Sequence, residues 1–418
     1  MIRIRSAVLA VALLGSAVAV AAPGLAANAA LPGSVRPRSV APGALTHARD
    51  LLPVEAVAPA ITGDDATLNG VACTSAIRCL AAGFFFARAE GSTFGLSETW
   101  NGHRWGTLTV SGLTTKSAVT AALEVSCGAP TNCMIVGYHY KNPSLPVQFA
   151  DILSATWTPV KWNNPAGARW SVLDDVKCVD TAFCMAIGIF SKTSGGGRAL
   201  AELWNGHSWR QLRVPNPANL HGTDLSALWC ESTSDCQAVG AGQNSAHHLA
   251  NFTEHWNGSR WTLGRIPNVR GRANALNDVA CFASGDCVAV GFTRASGTPR
   301  PLVVRLHGGR WHIVTTPGRR DAALLGISCP TATLCVAVGF QGKSPLTEKW
   351  NGSRWTVLRT PRTGGSKPDD SLQHVSCTSA VHCVAVGIRY NARRRFSNHT
   401  LIEVWNGAIW RIQTSVNP

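Results

Sequence analysis

From about residue 64 onward, apolar and polar residues alternate in short runs closed by Gly, Pro, Ser or Asn-Gly. Alternation of this kind, broken by turn-forming residues, predicts β-strands with one face buried. The runs come in groups of four. The first leads to a cysteine, with an apolar residue two positions before it: Val71, Val125, Val176, Leu228, Val279, Ile327 and Val375. The second is a C-x-A-V-G segment, as in Cys287 to Gly291, where small and β-branched residues suit a buried strand. The third leads into Trp-Asn-Gly at Trp100, Trp204, Trp256, Trp350 and Trp405. The fourth starts at a tryptophan in every group: Trp105, Trp157, Trp209, Trp261, Trp311, Trp355 and Trp410. Asn-Gly predicts a tight hairpin, because both residues tolerate positive φ. In the second and fifth groups Ile152 and Leu306 stand at the places expected for the turn tryptophan.

The cysteines mark the period. They fall as Cys73/Cys79, Cys127/Cys133, Cys178/Cys184, Cys230/Cys236, Cys281/Cys287, Cys329/Cys335 and Cys377/Cys383, with none of the 14 left over. Four residues after each second cysteine stands a glycine: Gly83, Gly137, Gly188, Gly240, Gly291, Gly339 and Gly387. Seven units of about 50 residues, each of four strands, predict an all-β fold: a seven-bladed β-propeller with four antiparallel strands per blade. A lone four-stranded sheet cannot bury both faces, so blades stack around an axis, with tryptophans filling the layers between them. A linear β-solenoid is the competing architecture, but its coils are shorter and lack hairpin turns.

The pattern V-S-C-x5-C-V-A-V-G followed by E-x-W-N-G-x-x-W resembles the repeats of secreted actinobacterial propellers. These are similar to kelch or galactose-oxidase-like propellers and to the sialidase-type repeats of photosystem II assembly factors. The resemblance covers residues from about 64 to 418 and implies the fold, while function is carried by sites grafted onto it. One departure is plain: the sialidase-type Asp box wants Ser-x-Asp-x-Gly-x-x-Trp, and this chain has Asn-Gly-x-x-Trp.

The N-terminus changes the picture by assigning a compartment. Met1 to Arg5 is basic, Ala7 to Ala22 is apolar, and Ala27-Asn28-Ala29 offers small residues for a signal peptidase. The apolar run is too short and too Ala-rich for a spanning anchor. A signal peptide is therefore expected over 1–29, a flexible Pro/Ala/Gly lead-in over 30–62 and the propeller over 63–418, in a secreted, extracellular protein. In that setting, evenly spaced cysteine pairs predict one disulfide within each blade, clipping a hairpin at the base of its tip and contributing about 2 kcal/mol by closing a short loop. Zinc needs about four converging ligands, and each pair belongs to a different blade. No metal and no cofactor is expected.

Candidate chemistry is thin. Glu98, Glu202, Glu254, Glu348 and Glu403 each stand two residues before a turn tryptophan. A catalyst needs one or two carboxylates in distinct environments, so a repeated set predicts a strand or inter-blade hydrogen bond. Gly264-Arg265-Ile266-Pro267 matches the Arg-Ile-Pro motif of sialidases, yet Leu212-Arg213-Val214-Pro215 holds the same place in another repeat. Tyr138, Tyr140 and Tyr390 have no glutamate beside them in sequence to pair with as a sialidase nucleophile. His247-His248 and Tyr138-His139-Tyr140 lie in variable loops without a third ligand nearby. The chain has no G-x-S-x-G elbow, no phosphate-cradling loop and no H-E-x-x-H.

Charge points to a face. Up-and-down strands put the loops within hairpins 1–2 and 3–4 on one face, and the variable loops 2–3 and 4–1 on the other. Variable loops on a rigid ring are where function is expected. In those serving blades 5 to 7 stand Arg270, Arg272, Arg294, Arg300, Arg319, Arg320, Lys343, Arg362, Lys367, Arg389, Arg393, Arg394 and Arg395, against Asp321, Asp369 and Asp370. The whole chain carries a net charge of +15, so most of the imbalance sits on this arc. It is either a solvated face tuned for solubility or an anion-binding surface. The functional expectation is a non-catalytic scaffold, a monomer, whose basic face binds an anionic cell-wall polymer, a glycan or a protein partner. Specific nucleic-acid recognition is not expected, nor is a membrane span after signal cleavage. The alternative is an extracellular glycan-active hydrolase or lyase with a dispersed site, which a deep acidic pair in the axial mouth would favour.

Overall fold

A computed structural model describes residues 65–416, apart from 88, 90, 109–119, 143, 144, 155, 163, 194, 195, 296, 362–369 and 391–397. The expected signal peptide and lead-in lie outside the described residues. Every regular element is a strand, and no described helix is long and apolar enough to cross a membrane. Blade 1 is β1 (Asp65–Ser75), β2 (Arg78–Ala87), β3 (Ser92–Trp100) and β4 (Trp105–Thr107), paired in that order. Six more four-stranded antiparallel sheets follow, from Thr120 in blade 2 to Gln413 in blade 7, each built from consecutive strands. All seven predicted disulfides are formed: Cys73–Cys79, Cys127–Cys133, Cys178–Cys184, Cys230–Cys236, Cys281–Cys287, Cys329–Cys335 and Cys377–Cys383.

The first strand of each blade is innermost, and these strands lie against one another around the ring. Seven apolar clusters hold the molecule together, one at each seam between blades. The last seam joins Leu68 and Phe94 of blade 1 to Val386 and Ile402 of blade 7. Blade 7 owns all four of its strands, so non-covalent contacts close the ring. Among these, Trp105 Nε1 donates to Gln413 Oε1 at 2.8 Å and the Cys73 amide donates to Ser376 Oγ at 3.0 Å.

The recurring glycine follows from a bulge. In blade 1 the register jumps from Leu68↔Gly83 to Gly70↔Ala82, leaving Asn69 unpaired, and every other innermost strand is irregular at the same place. Opposite the bulge the strands approach closely. A Cβ on Gly83 would lie 2.0 Å from the Thr67 carbonyl oxygen, and the other six glycines meet a backbone oxygen at 2.0–2.2 Å.

Four sequence expectations need correction. The first strand does not generally stop at the first cysteine: in blade 1 it runs on to Ser75, so the disulfide clips paired strands below the hairpin tip. The bridges also do more than close a loop at the surface. The second cysteine of every pair is buried in a seam cluster: Cys79, Cys133, Cys184, Cys236, Cys287, Cys335 and Cys383. These sulfurs are core packing, because the second strand carries them on the face turned to a neighbouring blade. In the Trp-Asn-Gly turn only the glycine has positive φ, 88–94° in five blades. Asparagine acts instead through its side chain, and Asn101 Oδ1 accepts the amides of His103 and Arg104 at 2.9 Å each. Finally, the turn-tryptophan position of blade 2 is Leu153, not Ile152. Cys133 pairs with Leu153 as Cys79 pairs with Trp100, because that hairpin is one residue shorter.

Candidate functional site

Strand pairing tests the two-face geometry directly. Cys79 opposes both Cys73 and Trp100, and Trp100 opposes Trp105, so the Cys hairpin and the Trp-Asn-Gly turn share one end of the blade. The variable loops emerge at the other end. There Arg294 closes β18 (Asp286–Arg294) and Arg300 opens β19 (Arg300–His307) in blade 5. Arg270 and Arg272 precede blade 5, Arg319 and Arg320 precede blade 6, and Lys343 sits in the blade 6 turn. Arg270, Arg294, Arg300, Arg319, Arg320 and Lys343 are exposed, and Arg272 and Arg389 are half-buried.

Backbone hydrogen bonds weld these loops into one arc. The Asp321 amide donates to the Pro299 carbonyl at 2.9 Å, and the Gly342 amide to the Asp321 carbonyl at 2.6 Å. The Asp370 amide donates to the Lys343 carbonyl at 3.2 Å, and Asp370 Oδ1 accepts the Tyr390 amide at 2.8 Å. Asp370 is therefore a buried link between loops. Arg362, Lys367, Asp369, Arg393, Arg394 and Arg395 lie outside the described residues.

The five glutamates are buried. Three reach the preceding blade: Glu98 accepts from the Val416 amide at 3.2 Å, Glu202 from Gln148 Nε2 at 2.8 Å, and Glu348 from Thr316 Oγ1. Among the described residues the carboxyl oxygens of Glu254 and Glu403 have no hydrogen-bond partner. Burial pushes Glu98, Glu254 and Glu403 up to about 8 and Glu202 to about 7. Inter-blade bonding thus holds for three of the five.

Sequence reasoning missed a charged cluster on the axis. Three residues before each first cysteine stand Gly70, Glu124, Asp175, Ala227, Asp278, Gly326 and His374. Asp175 accepts the Val176 amide and, across the seam, the Leu228 amide, both at 2.7 Å. Asp278 does the same for Val279 at 2.8 Å and Ile327 at 2.7 Å. The glycines make room between blades, and His374 Nε2 lies 3.5 Å from Asp278 and Nδ1 3.8 Å from Glu124. Burial pulls the Lys177 ammonium below its usual range, while Asp175, Asp278 and Glu124 oppose that shift. The aligned column of four ionisable residues was the available signal. The oxygens of Asp175 and Asp278 face backbone amides of two blades, which makes this cluster a seam that locks the inner ring.

The remaining candidates stay dispersed. Tyr138 and Tyr140 meet edge-on at 5.6 Å between centroids, and burial, then Tyr140 and Asp174, pushes the Tyr138 phenol up to about 12, unlike an activated nucleophile. His247 sits at φ 59° in the blade 4 loop over 244–248, beside half-buried His248. Among the described residues no three His, Cys, Asp or Glu side chains converge as metal ligands.

Comparison with known proteins supports the fold. No family model and no curated protein sequence matches the chain. It is similar in structure to an ulvan lyase of polysaccharide lyase family PL25 bound to -[GlcA(1-4)Rha3S]-, with TM-score 0.55 and 8% identity, covering 85% of this chain and 97% of that one. A YCF48 bound to D1 peptide matches with TM-score 0.47 and 12% identity, over 82% of this chain and 93% of that one. The fucose-specific lectin of Aleuria aurantia matches with TM-score 0.43 and 10% identity, over 72% of this chain and all of the lectin chain (100%).

Proposed function

We propose that this chain is an extracellular, non-catalytic propeller scaffold that holds an anionic polymer, in the first instance an acidic glycan, on its variable face. One observation carries the reading: exposed cationic side chains from several loops of blades 5 and 6 emerge on one face, in loops tied together by backbone hydrogen bonds. Tying matters because screening limits cooperation between charges to about 8 Å at physiological salt. Such an arc suits a ligand carrying repeated negative charges, each contact releasing condensed counterions. The ulvan lyase is compatible with this, since its bound unit contains a uronic acid and a sulfated sugar on a propeller.

The test uses polygalacturonate and dextran sulfate across a salt series. Arg319→Glu with Arg320→Glu should weaken binding and flatten the salt slope. Arg104→Glu with Arg354→Glu, on the opposite face, should leave both nearly unchanged. Melting temperatures should stay level in both variants, because exposed charges contribute little to folding. Equal losses from the two faces would mean diffuse attraction and no site.

A further inference from the structure

The seven-fold repeat supplies its own controls, and the seam between blades 4 and 5 departs from them. In five blades the turn tryptophan and the fourth-strand tryptophan pack as a tilted pair, with centroids 5.7–5.8 Å apart. At the seam between blades 3 and 4, Trp256 and Trp261 pack on Met185, Leu203 and Leu212 of the preceding blade. The corresponding residues at the next seam are Leu306 and Trp311, facing Gln237, His255 and Gly264.

Each change removes bulk or adds polarity. The residue after the second cysteine is Leu80, Met134, Met185, Val288, Val336 or Val384 in the other blades, and Gln237 only here. Three residues after the fourth-strand tryptophan stand Leu108, Val160, Leu212, Val314, Leu358 and Gln413, but Gly264 here. A missing indole alone opens nothing comparable. Blade 2 also lacks the turn tryptophan, yet its Trp157 is only 2% exposed and donates to Ser97 Oγ at 3.1 Å. At the seam between blades 4 and 5 the combined changes leave a cavity of about 390 Å³, with Trp311 half-exposed on its wall.

The rim is built for hydroxyl groups. Asp235 Oδ1 accepts from His255 Nε2 at 3.0 Å and Oδ2 from Ser284 Oγ at 2.5 Å, which fixes the carboxylate while leaving lone pairs on each oxygen. The Gln237 amide nitrogen is taken by Thr253 and by the carbonyls of Ala238 and Glu254, so its oxygen is the atom left for a ligand. Opposite the Trp256–Trp261 pair the wall is Met185, Leu203 and Leu212, and at other seams a single polar group reaches an indole, Arg305 over Trp350, Lys349 over Trp405 or Gln413 at Trp105. Here Gln237 and His255 stand together with Gly264 on that wall, which fits a ring with one flat C–H face and a hydroxylated edge.

We propose that the cavity between blades 4 and 5 is a binding site for a neutral hexopyranose unit, stacked on Trp311 with its hydroxyls on Asp235, Gln237 and His255. Neutral is specified because two carboxylates, Glu231 and Asp235, line the opening against one arginine, Arg265. The site opens at the cysteine-hairpin end of blades 4 and 5, beside Asp235, Ser284 and Gly309, and the basic arc lies at the opposite end, so the proposal does not depend on it.

The test is titration of the intact mature protein with an array of neutral oligosaccharides and with the methyl glycosides of glucose, galactose and mannose, read by saturation-transfer NMR. At least one neutral sugar should bind with little salt dependence. Leu306→Trp, which restores the residue found in five sister blades, should weaken binding about tenfold or more without lowering the melting temperature. Asp235→Asn should weaken it too, while the Arg319→Glu, Arg320→Glu variant should bind the sugar normally. The proposal fails if no neutral sugar binds, or if Leu306→Trp binds as the parent does. It fails equally if galacturonate outcompetes galactose, or if N-acetyltryptophanamide takes the cavity and the sugars do not.

Discussion

At the scale of single residues, each recurring glutamate stands opposite the alanine of the Cys-x-Ala-Val-Gly strand or its equivalent, Glu98↔Ala81, Glu254↔Ala238 and Glu403↔Ala385 among them. That register puts a carboxyl inside a seam, where desolvation favours the protonated form. The consequences separate the five. Glu254 and Glu403 have no donor to lose among the described residues, so Glu→Gln at either should change stability by less than about 0.5 kcal/mol near pH 4, where the carboxyl is protonated in both the folded and the unfolded chain. By pH 8 the variants should be more stable than the parent, whose carboxyl ionises freely only when the chain unfolds. Glu98→Gln gives up an acceptor for Thr400 or Val416 and should cost about 1 kcal/mol. Urea midpoints at the two pH values decide it, and equal behaviour of all five would contradict the assignment. The sequence showed the glutamates as a column, and excluded five equivalent catalysts, but could not say which of them find donors. Those donors, Gln148, Thr316 and Val416, come from other blades.

At the scale of the element, the blade was largely legible. Alternation, the cysteine pairs and the tryptophans placed all four strands, because pairing within a hairpin depends on neighbours in sequence. The bulge was not legible, since an extra residue in one strand leaves no mark in a period-2 pattern. Its trace was the glycine, whose reason is steric: at Gly291 a Cβ would sit 2.0 Å from the Ala275 carbonyl oxygen. Gly291→Ala should therefore destabilise by at least about 1–3 kcal/mol, through forced separation of the two inner strands. Gly285→Ala is the control. That glycine has φ 74° and open space around its Cβ position, so its cost should be conformational only, about 1 kcal/mol. Chemical denaturation of the two variants compares them, and similar losses would remove the steric account.

For the whole molecule, the buried carboxyls set a pH dependence. Their folded-state pKa values lie above the ordinary 4.5, so between that value and about 8 the folded chain holds more protons than the unfolded one. Stability from this source is complete below pH 4.5 and declines as pH rises to about 8. The melting temperature should fall across that window, and the fall should shrink when Glu254 and Glu403 are both changed to glutamine. A flat profile in the parent would show that the carboxyls are hydrated. Seven repeats, their disulfides and the grouping of variable loops on one face were determined by the sequence itself, because each depends on pairing inside a blade of about 50 residues. Only the tertiary structure decided what the seams contain: Cys184, Cys236 and Cys335 packed as core, Asp370 buried as a link, Asp175, Asp278 and His374 gathered on the axis, and Gln237, Gly264 and Leu306 meeting at one cavity. These residues lie tens of positions apart on different strands or blades, and nothing short of closing the ring brings them together.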